Sequence, residues 1–165
     1  SKFRWLHDSF GSNLRLPELS AAVGRVALRK LDGWVVRRRL LAQALIDGLG
    51  KLPALRVVEP PPHVYNSYYK FYAFVRPERL RRGWDRDRVM QAIAAEGVPC
   101  FSGTCSEIYL ERAFPPDLRP AERLPVARTL GETSLMFLVH PTLEIEDMAD
   151  VVRAAERVLS IATIE

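Results

Sequence analysis

Gly11-Ser12-Asn13-Leu14-Arg15-Leu16-Pro17 runs without a break into Glu18-Leu19-Ser20-Ala21-Ala22-Val23-Gly24, a polar turn feeding a long amphipathic segment. Gly11 and Ser12 permit a tight backbone, and Pro17 suits the first helical position, where its missing N–H costs nothing. Leu16, Leu19, Val23, Val26 and Ala27 recur at helical spacing, which predicts a helix to about Leu31. Asn13 and Arg15 then stand beside free backbone donors at a positive helix end, an arrangement suited to an anion and to a phosphate above all. The same two residues also read as a plain turn carrying a surface charge. Ala21, Ala22 and Gly24 are small enough for a second helix to approach closely.

Asp32-Gly33 predicts a kink or a restart, with Asp32 capping a second helical segment over 34–49. Its stripe is Val36, Leu40, Leu41, Ala44 and Leu45, Gly50 closes it, and Arg37-Arg38-Arg39 reads as a solvated charged face. Strands are expected at 55–58, 69–75, 98–101 and 134–139, where β-formers cluster between turn residues. Helices are expected from an Asp85 cap to Gly97, briefly over 107–112, over 120–131 and over 144–161, with His140 supporting the turn before the last. The order α–β–β–α–β–α–β–α predicts an α/β two-layer sandwich: a small antiparallel or mixed sheet with helices mainly on one face, preceded by the long helix.

At 165 residues, 48% hydrophobic and 27% charged, the chain can build one domain with a substantial core. No apolar run approaches the ~18 residues of a membrane span. Two cysteines, Cys100 and Cys105, point to a reducing cytoplasm rather than a disulfide scaffold. Their x4 spacing lacks the further ligands of a metal site, and neither has a histidine nearby in sequence to activate it. Residues 1–88 hold 18 basic and 8 acidic side chains, whereas 89–165 hold 6 and 12. That asymmetry admits a nucleic-acid face, but no aromatic-interleaved basic groove accompanies it, and a surface handling phosphorylated ligands shows the same imbalance. Phe3, Trp5 and Phe10 suggest a docking segment, and His7 among them reads as a hydrogen-bonded structural residue rather than an acid–base.

The stretch from Gly11 to Gly24, with Leu28-Arg29-Lys30-Leu31-Asp32, resembles the G-x-N-x-R-M-x-E-x-Q-A-A-x-G…Q-L-x-x-L-D signature of the DegT/DnrJ/EryC1/StrS sugar aminotransferases, which depend on pyridoxal 5'-phosphate (PLP). The resemblance continues through Arg37-Arg38-Arg39, Tyr68-Tyr69-Lys70-Phe71-Tyr72, Leu124-Pro125-Val126-Ala127 and Leu138-Val139-His140-Pro141-Thr142-Leu143. Leu16 replaces the family's Met, and Ser20 its Gln. The resemblance implies the C-terminal small domain of a fold-type I aminotransferase over 17–165, with 1–16 as a segment docking on a large domain or a partner subunit. The Schiff-base lysine would lie upstream; Lys2, Lys30, Lys51 and Lys70 do not match its motif, so this part alone is expected to be inactive. It further implies that Asn13 and Arg15 reach the PLP phosphate of the neighbouring subunit in a homodimer. The reaction implied is amino transfer from glutamate or glutamine to a keto-sugar nucleotide. Ser102, Thr104 and Cys105 stand where the family usually carries a histidine-bearing G-x-x-x-H-Y-x-P-x-H loop; they are substrate-contact candidates, but no histidine role carries over. Two other classes stay open: a stand-alone regulatory α/β module that binds a small molecule, and a basic nucleic-acid-binding domain.

Overall fold

The computed structural model describes residues 14–103, 105–111 and 114–164. Phe3, Trp5, His7, Phe10, Asn13 and Thr104, all singled out above, lie outside the described residues. The chain divides after Asp32 into two compact units. In the first, the described residues form the start of helix α1 (Glu18–Leu49), whose opening turn is closed by the Ala21 N–H donating to the Pro17 carbonyl at 2.9 Å. Leu16, Leu19 and Val23 stand exposed there.

Helix α1 is one element through Asp32 and Gly33, so Asp32 caps no second segment. Neither residue costs more than ~1 kcal/mol in a helix interior, too little to break a ladder that continues on both sides. The buried face also differs from the expected stripe. Leu41, Ala42, Leu45 and Leu49 are buried, whereas Val36 and Leu40 are 62% and 52% exposed. The phase is set by Gly48, which lies directly against the Val152 side chain and leaves no room for one of its own.

The second unit carries the sheet. Its strands are β1 (Leu55–Val57), β2 (Phe71–Val75), β3 (Cys100–Phe101) and β4 (Ser134–Phe137), and its helices after α1 are α2 (Arg86–Ala95), α3 (Pro125–Thr133) and α4 (Ile145–Ala162). Element order matches the expected alternation. The strands lie in the order β1-β2-β4-β3, every neighbour antiparallel. Phe71 faces Phe137 across one pair and Phe137 faces Cys100 across the next, placing three buried side chains in one row. Along β2 burial alternates, Phe71, Ala73 and Val75 inward, Tyr72 and Phe74 half-exposed on the other face. Val89 and Ile93 of α2, Met148, Val151, Ala155 and Leu159 of α4, and the buried residues of α1 complete the core.

The strands are shorter than their apolar runs. Tyr68 holds a left-handed backbone (φ +46°), braced by its N–H donating to the Asn66 side chain at 2.9 Å, so β2 starts only at Phe71. Helix boundaries follow local chemistry more closely. The Asp85 carboxylate accepts the Arg88 N–H at 2.8 Å, and Gly97 (φ +88°) follows the end of α2. Helix α3 begins at Pro125 rather than Pro120, and the expected helix at 107–112 is a single tight turn over Ile108–Leu110. At α4 the Asp147 carboxylate accepts the Glu144 N–H at 2.8 Å. His140 sits in the preceding turn, its Nδ1 2.8 Å from the Thr142 hydroxyl.

The triple arginine is not a solvated face. Arg37 donates to the Leu143 carbonyl at 2.8 Å and pairs with Glu144, while Arg39 donates to the Asn66 carbonyl at 2.9 Å and lies over the Tyr65 ring. Both guanidiniums therefore tie α1 to segments outside the strands. Among the described residues no helix is long and apolar enough to cross a membrane.

Candidate functional site

Leaving β3, the chain enters Ser102-Gly103, and Gly103 takes a backbone (φ +90°) that side-chain-bearing residues rarely adopt. A Cβ there would also approach the Tyr72 ring to 2.6 Å. Glycine is therefore required at this bend, and the loop is laid over the outward side of β2. The Ser134 hydroxyl donates to the Ser102 carbonyl at 2.6 Å, and the Arg86 guanidinium donates to the Ser134 carbonyl at 2.9 Å. Further on, Ser106 packs against Gly131 of α3, where any larger residue would meet its hydroxyl.

These contacts bound an open cleft of ≈ 450 Å³ lined by Arg86, Ser102, Cys105, Ser106, Glu107 and Glu111, with Leu110 and Gly131 closing it. Ser102 also borders a neighbouring, more apolar cavity of ≈ 540 Å³ shared with Lys70, Phe101 and Met136. Hydroxyls, a thiol, a guanidinium and carboxylates around one concavity suit a polyhydroxylated ligand, since each can exchange hydrogen bonds with ring hydroxyls.

At the far end of the loop Glu107 is 8% exposed. The Arg123 Nε donates to its Oε1 at 2.9 Å, a second Arg123 nitrogen pairs with Oε2, and the Tyr109 hydroxyl donates to Oε1 at 2.6 Å. Tyr109 accepts in turn from the Leu124 N–H at 2.9 Å. The Arg123 and Tyr109 hydrogen bonds hold the Glu107 carboxyl down at about 2. Stability from that depressed carboxyl is present above the ordinary carboxylate range and is lost as pH falls toward about 2. Burial, then the Glu107 contact, raises Tyr109, which stays protonated as the donor; Arg123 is raised by its bonds to Glu107.

Of the residues expected to bind ligand, Ser102 and Cys105 line this one cleft, Thr104 lies between them outside the described residues, and Arg15 belongs to the other unit. Arg15 precedes α1 as an exposed residue, and among the described residues it has no ion-pair partner. Arg86, Glu107, Tyr109, Arg123 and Glu111 were not anticipated. Arg86 had a signal, since it follows the Asp85 cap at the start of a helix; the Glu107–Arg123 pairing spans 16 positions and has none.

The comparisons bear on the whole chain. Residues 1–156 match the DegT/DnrJ/EryC1/StrS aminotransferase family. The chain belongs to that family. An aminotransferase from Psychrobacter cryohalolentis has the same fold (TM-score 0.85) and is 44% identical; the match covers 96% of this chain and 42% of that one. The dTDP-3-amino-3,4,6-trideoxy-alpha-D-glucose transaminase of Streptomyces venezuelae is 30% identical over 162 residues, 96% of this chain and 41% of the relative. The erythromycin biosynthesis sensory transduction protein EryC1 of Saccharopolyspora erythraea is 31% identical over 146 residues, 88% of this chain and 38% of the relative. This chain thus spans about two fifths of the length of such family members.

The two cysteines should separate chemically. Burial pushes the Cys100 thiol up to about 12, leaving almost no thiolate at neutral pH, whereas Cys105 is exposed. Iodoacetamide at pH 7 should label the native chain once, on Cys105, and twice after denaturation. Peptide mapping that finds Cys100 labelled first in the native chain contradicts this packing.

Proposed function

We propose that this chain is the small-domain part of a PLP-dependent aminotransferase that converts a keto-sugar nucleotide into an amino-sugar nucleotide, with glutamate or glutamine as donor. The observation that carries the reading is the family match over residues 1–156, reinforced by a relative of 30% identity that acts on a dTDP-amino sugar. Residues 17–165 would form the small domain and 1–16 a docking segment, in a cytoplasmic homodimer whose larger domain supplies the lysine that carries the cofactor.

The residues present fit PLP at its phosphate end. Arg15 is an exposed cation, and the unpaired N–H groups of the first turn of α1 follow it. Glu18 in that turn opposes an anion at the helix end itself, so the guanidinium is the stronger contact. Bound there, PLP supplies the electron sink that amino transfer requires. Arg15 neutralises its phosphate and Asn13 donates an amide N–H to it, both from the neighbouring subunit. Ser102 and Cys105, with Arg86 beside them, present polar groups to the sugar.

The test is turnover by the complete enzyme with PLP, glutamate or glutamine, and a panel of keto-sugar nucleotides. The expected product is an amino-sugar nucleotide, identified by mass spectrometry. Transamination confined to free keto acids, with every keto-sugar nucleotide inert, overturns the substrate class.

A further inference from the structure

We propose that Glu107 is a positioning residue that holds Cys105 and Ser106 in place for the sugar, an inference that rests on the reading of the cleft above. The loop is tied at both ends to one continuous piece of chain. Its beginning, the Ser102 carbonyl, is held by the hydroxyl of Ser134, where α3 passes directly into β4. Its end, Glu107, is held by Arg123 and, through Tyr109, by the Leu124 N–H, where α3 begins. Helix α3 therefore acts as a rigid bar with the loop strapped along it. Gly131, partway along the bar, is the place where Ser106 comes down onto it.

Three features make Glu107 the decisive strap. Its carboxylate is buried and accepts from the Tyr109 hydroxyl and two Arg123 nitrogens, so three of its four lone-pair sites are engaged within the protein. The pairing with Arg123 uses two guanidinium nitrogens, which fixes direction as well as distance. The nitrogen of Arg123 that pairs with Oε2 of Glu107 also reaches Glu132 on α3 at 3.4 Å, and Arg128 pairs with Glu132 at 2.8 Å. Between the two ties, Cys105 and Ser106 turn toward the cleft with no hydrogen-bond anchor of their own among the described residues.

The closing experiment uses Glu107→Gln in the complete enzyme, with Tyr109→Phe as a milder second variant. The glutamine keeps the volume and removes the charge that both Arg123 contacts need. The KM for the keto-sugar nucleotide should rise roughly 10-fold or more with kcat nearly unchanged, the mark of lost ground-state binding. The amino-donor half-reaction, followed on its own, should keep its rate. Backbone amide exchange at Leu110, whose N–H donates to the Glu107 carbonyl at 2.9 Å, should quicken roughly 10-fold while β2 and β4 stay protected. Combining Glu107→Gln with Arg123→Lys should add little to either alone, because both cut the same tie.

Unchanged exchange at Leu110 overturns the proposal, and so does a fall in kcat at constant KM, which would place Glu107 in the chemistry. Should every keto-sugar nucleotide prove inert, the substrate reading fails, while the exchange measurement still decides whether Glu107 holds the loop. Should Glu107→Gln lose protection throughout the sheet, Tyr109→Phe decides: quickening confined to Leu110 supports the strap, and wild-type exchange there overturns it.

Discussion

Phe137→Ala should destabilise the chain by about 3–5 kcal/mol, the range for removing a fully enclosed aromatic side chain. Phe137 has no exposed surface, sits in β4 between β2 and β3, and meets Phe71 and Cys100 across the two ladders. It belongs to the same buried cluster as Val89 and Ile93 of α2 and Met148 of α4. A cavity at that point would lie inside the core, away from solvent. The expected shift in thermal midpoint is on the order of 10 °C for a chain of this size. Leu19→Ala, at a position 79% exposed, serves as the control and should stay within about 0.5 kcal/mol. A Phe137→Ala loss below ~1 kcal/mol, read from urea or thermal unfolding, would mean that the row Phe71–Phe137–Cys100 is not the centre of the core.

The second large effect belongs to Arg15 in the complete enzyme. A charge-assisted contact to a phosphate is worth about 1.5–3 kcal/mol. Arg15→Ala should therefore weaken PLP binding roughly 10- to 100-fold, at about 1.4 kcal/mol per decade. Asn13→Ala should act in the same direction. Fold stability should hardly move, because Arg15 is exposed. A mixed dimer tests which subunit is served. If Arg15 serves its neighbour, pairing an Arg15→Ala chain with one lacking the cofactor-bearing lysine collects both defects in one site, and about half the activity returns. If each chain serves itself, both sites are damaged and the mixed dimer stays near-inactive.

What could be read from the residues is what local chemistry decides. Asp85 caps α2 because its short carboxylate reaches the Arg88 N–H, and Gly97 follows that helix because its positive φ suits no side chain well. Clusters of β-formers located all four strands, but their ends are fixed by pairing: Tyr69 has the composition of a strand and is 74% exposed outside it. The α1 stripe was right at Leu41 and Leu45 but not at Val36 and Leu40, for a similar reason. Whether Leu40 or Ala42 turns inward depends on how closely α4 approaches Gly48, which no window on α1 contains. At the site, Ser102 and Cys105 could be picked out by their loop composition. Glu107 and Arg123 could not, because a carboxylate and a guanidinium 16 positions apart carry no sign of meeting until α3 brings them together.

The rims of the sheet limit how the chain can be assembled into anything larger. Its outer strands are only three and two residues long, so each offers few free N–H and C=O groups. No further strand, from another domain or another copy, can gain much by adding itself to either rim. Growth by continuing the ladder is closed off, and any larger assembly has to be built face to face or through helices, where contacts depend on side chains and so discriminate between partners.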